Sequence, residues 1–147
     1  MYISPPTQNA ERQANVKTKL LSWLLIASFI ITSCAKKVTG ADVISAFKAA
    51  GLEAENPSPM TKDDYGVGPY VCTGTHFFTP SIDATAGGRV FICDNDKDRD
   101  AIAGYYTELG KASALFFSWV FIKDNVVVQL NGDLPEDKAK QYQAAIP

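Results

Sequence analysis

Three cysteines and one histidine carry most of the chemistry open to this 147-residue chain: Cys34, Cys72, Cys93 and His76. A Cys–His nucleophile pair needs thiol and imidazole within hydrogen-bond reach. Residues 70–78, YVCTGTHFF, read as a strand, which puts Cys72 and His76 ~13 Å apart. No dyad forms at that distance. Zinc would want a C-x-x-C or H-x-x-x-H spacing, and the chain has neither. His76 therefore reads as a half-exposed strand residue. No G-x-S-x-G elbow or glycine-rich phosphate loop is found either. These residues assign no catalytic group, metal or cofactor, and the chain does not read as an enzyme.

Two other groups invite a chemical reading. The run DNDKDRD places carboxylates at Asp94, Asp96, Asp98 and Asp100, opening like a calcium loop. Its sixth position is Arg99 where the turn needs glycine, and its twelfth is Tyr105 where a bidentate glutamate belongs. Carboxylates favouring the start of the following helix are the simpler account. Tyrosine suits half-wet contact sites, so Tyr65, Tyr70, Tyr105 and Tyr106 are the candidate binding surface. Phe117, Trp119 and Phe121 alternate along a strand and are expected in the core.

The elements that must position these residues follow from periodicity and punctuation. TGADVISAFKAAG predicts a helix with Thr39 as N-cap, Asp42 completing a capping box and Gly51 at the left-handed exit. LEAE is expected as a short strand. Residues 56–70, with three prolines and two glycines, are expected as a long ordered loop with one helical turn at 61–65. Strands at 70–78 and 88–94, a helix from about Asp96, and two strands turning at 123–125 come next. Pro135 is expected in the first turn of a last helix that places Ala139, Tyr142 and Ile146 on one face. The apolar run 112–122 is too short to span a membrane and is expected as a central strand. The fold class is α+β: one antiparallel sheet of about four to five strands, covered on one face, with two to three helices.

The amino terminus is of a different kind. Residues 1–19 are polar with Arg12, Lys17 and Lys19, and 20–31 are apolar apart from Ser22 and Ser28. That run is shorter than the about 20 residues of a membrane span and fits a signal-peptide core. It ends Ile31-Thr32-Ser33-Cys34, which resembles the bacterial lipobox. The resemblance implies diacylglyceryl attachment at the Cys34 Sγ, cleavage before Cys34 and acylation of the new amino group. Residues 1–33 are then the signal peptide, 34–38 a lipidated tether and 39–147 the globular domain. A start at Val16 gives a compact signal, which makes 1–15 a start-site extension. Two or three acyl chains hold a protein on the membrane essentially permanently. Ala35 is not the aspartate associated with inner-membrane retention, so the cell membrane and the outer membrane are both open.

The stretches GGRVF, YYTELGKASALFFSWVF and VVVQLNGDLPEDKAKQYQAAI resemble small bacterial envelope lipoproteins of unassigned function. That resemblance implies an extracytoplasmic location with an envelope protein or small ligand as partner, and it carries no catalytic residue. The alternatives to a binding role are a passive structural or stress-related component and, third, an enzyme. Removing Arg12, Lys17, Lys19 and Glu11 from 14 basic and 16 acidic residues leaves 11 and 15. The mature net charge of −4 offers no footprint for nucleic acid. With Cys34 assigned to lipid, Cys72 and Cys93 remain in a compartment where disulfides persist. A hairpin across 79–87 pairs positions summing to about 165, so these two cysteines face each other and a bridge is expected.

Overall fold

Thr39 and Asp42 start the fold. The Thr39 hydroxyl accepts from the Asp42 N–H at 3.2 Å, and the Asp42 carboxylate accepts from the Thr39 N–H at 3.0 Å. This reciprocal cap satisfies donors that an α-helix leaves unpaired in its first turn. The computed structural model describes residues 37–147, so the predicted signal peptide, its cleavage point and Cys34 lie outside the described residues. Helix α1 (Gly40–Ala49) buries Val43, Ile44 and Phe47, and Gly51 leaves it at φ 73°. Strand β1 (Glu55–Pro59), a 3-10 turn (Lys62–Tyr65), β2 (Thr73–Phe78) and β3 (Gly87–Ile92) follow. Then come α2 (Asp96–Ala112), a second 3-10 turn (Ala114–Phe116), β4 (Ser118–Lys123), β5 (Val126–Asn131) and α3 (Glu136–Ala145). Pro135 stands one place ahead of α3, as its N-cap residue.

The five strands form one antiparallel sheet in the order β1-β2-β3-β5-β4. The chain is a single-domain α+β fold with three helices over the described residues. The β2–β3 hairpin has the expected register, pairing Thr73 with Ile92 and His76 with Arg89. One step beyond its first pair, Cys72 and Cys93 lie at disulfide distance with Cα atoms 4.5 Å apart.

Three expectations are corrected. First, β1 occupies residues expected to be loop, while LEAE contributes only Glu55 to it. Proline is tolerated on a sheet edge, and β1 is an edge strand with a register shift between Glu55 and Ser58. Asn56, at φ 45°, sits in that irregularity. Second, β4 is not central but the opposite edge. Leu115, Phe116 and Phe117 before it are exposed, as is Ile122 within it. The central strand is β5, where Val126, Val127, Val128, Gln129 and Leu130 are all buried in succession.

Third, that unbroken burial shows that helices cover both faces of the sheet rather than one. On one face Phe77, Val90, Val128 and Leu130 pack against Val43 and Phe47 of α1 and Ala139 and Tyr142 of α3. Trp119 and Phe121 reach this cluster, as expected of them, while Phe117 lies outside it and stays exposed. On the other face Cys72, Phe91, Cys93 and Val127 pack against Ile102, Ala103 and Tyr106 of α2. No helix among the described residues is long and apolar enough to cross a membrane.

Candidate functional site

Strand parity shows where α2 stops covering its face. Along β3 that face runs Cys93, Phe91, Arg89, and along β5 it runs Val127, Gln129, Asn131. Both change from apolar to polar within two residues. The polar half is a row across four strands: Ser58 pairs with His76, His76 with Arg89, and Arg89 with Gln129. Side chains directly opposite in a ladder are close enough to interact. Here they do. Ser58 Oγ lies 2.6 Å from His76 Nε2, and Arg89 Nη1 donates to Gln129 Oε1 at 2.9 Å.

Arg89 is the centre of this face. Its guanidinium carbon lies 5.8 Å from the ring centre of Tyr106, a cation–π contact from the last buried turn of α2. One N–H is spent on Gln129, and no carboxylate among the described residues lies within ion-pair distance. Gln129 is only 7% exposed, a buried amide whose oxygen is held by this one charged donor. A buried amide without that bond would carry a desolvation cost of about 1–3 kcal/mol.

Two cavities meet at Arg89. The first, about 370 Å³, has walls from Met60, Asp64, His76, Phe78 and Thr85. The second, about 330 Å³, lies between Tyr106 and Leu109 of α2 and the segment Leu115–Ser118. Arg89, Gln129 and Asn131 line both. Their size is at the lower end for small-molecule sites. Asp64 on the first wall is already engaged: Thr61's hydroxyl and N–H hold its carboxyl below the usual carboxylate range. The Ser118 hydroxyl is buried with no partner among the described residues. Ser118 is among the residues that line the second cavity.

The four tyrosines are brought together, though not as the surface expected of them. Ring contacts run continuously from Tyr70 through Tyr65, Phe91 and Tyr106 to Tyr105. Tyr65 is only 4% exposed, which corrects its place from groove to core. Its hydroxyl donates to the Cys72 carbonyl at 2.6 Å, and burial pushes its phenol up to about 12. Tyr106 is buried too, its phenol likewise raised by burial, but it forms part of the second cavity. Tyr70 is exposed and Tyr105 half-buried, the latter packed against the backbone at Gly68. Neither lines either of these two cavities.

The remaining sequence candidates have local partners. Asn95, rather than an aspartate, caps α2 by accepting from the Asp98 N–H at 2.9 Å. Asp96 and Asp100 pair with Arg99, Asp98 accepts from the Asn95 amide, and Asp94 pairs with Lys37. His76 is half-buried in β2 as expected. Its contact with Ser58 sets a nucleophile beside a base, but among the described residues nothing hydrogen-bonds the other ring nitrogen. Ser58 is also absent from the cavity walls. The pair ties edge strand β1 to the sheet and lacks the third, orienting group of a catalytic triad.

Sequence reasoning by residue type missed Arg89 and Gln129. A signal was present: GGRVFIC places Arg89, and VVVQLN places Gln129 and Asn131, in phase with buried residues. What this arrangement can do chemically is hold an anionic or hydrogen-bonding ligand against a fixed guanidinium. No family model matches this chain, and no curated protein or solved structure is significantly similar to it.

Proposed function

We propose that the chain is a lipid-anchored, extracytoplasmic binding protein of the bacterial cell envelope, which captures a small ligand on the sheet face around Arg89. The observation that carries the binding role is Arg89 itself: a half-buried guanidinium on an inner strand, oriented by Gln129 and Tyr106 and bordered by two cavities, without a carboxylate partner among the described residues. Holding such a charge in place is useful to a receptor and costs a purely structural domain some stability. The anchor rests on the Ile31-Thr32-Ser33-Cys34 pattern.

One preparation tests both parts. The full chain is extracted from membranes in mild detergent and examined by native mass spectrometry beside the Arg89→Ala and Cys34→Ser variants. The expected result is a small bound species that Arg89→Ala loses, and a Cys34→Ser protein that leaves the membrane fraction without its acyl mass. An identical bound complement in wild type and Arg89→Ala would overturn the binding face. Cys34→Ser protein that stayed in the membrane would overturn the anchor.

A further inference from the structure

The geometry points to a ligand class for the second cavity: an organic monocarboxylate carrying an apolar group, its carboxylate on Arg89 and its apolar part against Leu109 and Phe117. This rests on the binding role proposed for the Arg89 face and narrows it to one chemistry and one of the two cavities.

Three observations select the cavity and the ligand. The first is the supply of donors. Arg89 has N–H groups left after Gln129, and two further polar residues line the same space: Asn131, and Ser118, whose buried Oγ has no partner among the described residues. A guanidinium fork matches the two oxygens of a carboxylate, and such charge-assisted pairs are the strong ones. The second is the apolar lining. Leu109, Leu115, Phe116 and Phe117 line the same space of about 330 Å³ as these polar groups, and Leu115 is 85% exposed among the described residues. The first cavity has apolar lining from Met60, Phe77 and Phe78 too, but Asp64 already lines it with a carboxylate.

The third is the charge count. Among the described residues Asp133 is the only acidic one lining the second cavity; it is exposed, and its backbone N–H donates to the Asn131 side-chain oxygen. One guanidinium facing one rim carboxylate tolerates a single added negative charge better than two. That favours a carboxylate over a phosphate dianion. The volume sets an upper size near that of one aromatic amino acid derivative.

The test uses the full chain in nanodiscs of zwitterionic lipid, with empty discs subtracted, followed by amide chemical shifts. N-acetylphenylalanine is the probe. Its uncharged amide and inorganic phosphate are the comparators. Saturable shifts at Arg89, Gln129 and Phe117 with the acid are expected, with at least about tenfold weaker binding of the amide. Phosphate should leave these amides in place. Arg89→Gln should abolish the response, and its undisturbed spectrum elsewhere would show that the fold is intact. Equal binding of acid and amide would overturn the carboxylate assignment, as would phosphate competing with the acid or shifts confined to the His76 side. Should Arg89→Gln fail to fold, the acid–amide comparison in the unaltered protein still decides. An Arg89-dependent native ligand together with no response to the acid sinks this inference alone. Loss of Arg89 dependence for the native ligand sinks the binding face as well.

Discussion

Gln129 spends its carbonyl oxygen on Arg89 and stands between Val127 and Asn131 on the same face of β5, at the point where burial gives way to solvent. Reading VVVQLN as a buried strand is straightforward; reading Gln129 as the edge of a site requires knowing which parity α2 covers and how far the helix reaches. Cys72 and Cys93 were legible for the opposite reason, since hairpin register alone opposes them. Tyr65 was misplaced because amphipathic side chains fit both a groove and a core with a polar exit. Tyr65 takes the second course. Its phenol is raised from 10 to about 12, as is that of Tyr142, which donates to the Glu53 carbonyl. An unfolded chain ionises these groups near 10, and the folded one holds them neutral longer. Their contribution is therefore intact below about pH 10 and is lost as pH rises toward 12. Denaturation curves at pH 9 and 11 should show that loss. Tyr65→Phe should flatten it while costing about 1 kcal/mol at neutral pH. A Tyr65→Phe protein with unchanged stability at both pH values would contradict this account.

Helices α1 and α2 and the β2–β3 and β4–β5 hairpins lie close to their expected positions because each is punctuated locally, by Thr39, Asn95 or a short turn. Which strands occupy the edges was not legible, because pairing order depends on contacts distant in sequence. LFFSWVFIK is more apolar to the eye than VVVQLN, yet the former ends on the outside. Its first three apolar side chains, Leu115, Phe116 and Phe117, line the second cavity, while Trp119, Val120 and Phe121 pack against the core clusters. Close packing of β3 between β2 and β5 depends on Gly88. A Cβ there would fall 2.6 Å from the tip of the Phe77 ring and 2.8 Å from the Gln129 carbonyl oxygen. Gly88→Ala should destabilise the domain by about 1–3 kcal/mol and shift the Gln129 amide signal. A neutral result in chemical denaturation would mean that β3 can slide between its neighbours.

Across the domain, the sheet divides into a stapled end and an open end. Cys72–Cys93 closes the first, over a sequence separation of 21, while the cavities occupy the second. Cross-linking a loop of that length restricts the unfolded chain, so replacing both cysteines with alanine should cost about 2–4 kcal/mol in denaturation measurements. It should leave the response to N-acetylphenylalanine unchanged, since neither cysteine lines either of the two cavities at Arg89. Loss of that response in a folded double variant would show that the two ends are coupled. Lys37, the first described residue, is paired with Asp94 at the stapled end. Arg89 stands further up β3, about 17 Å along the strand from Asp94. The described chain therefore enters the fold at the stapled end, away from Arg89 and the two cavities it borders.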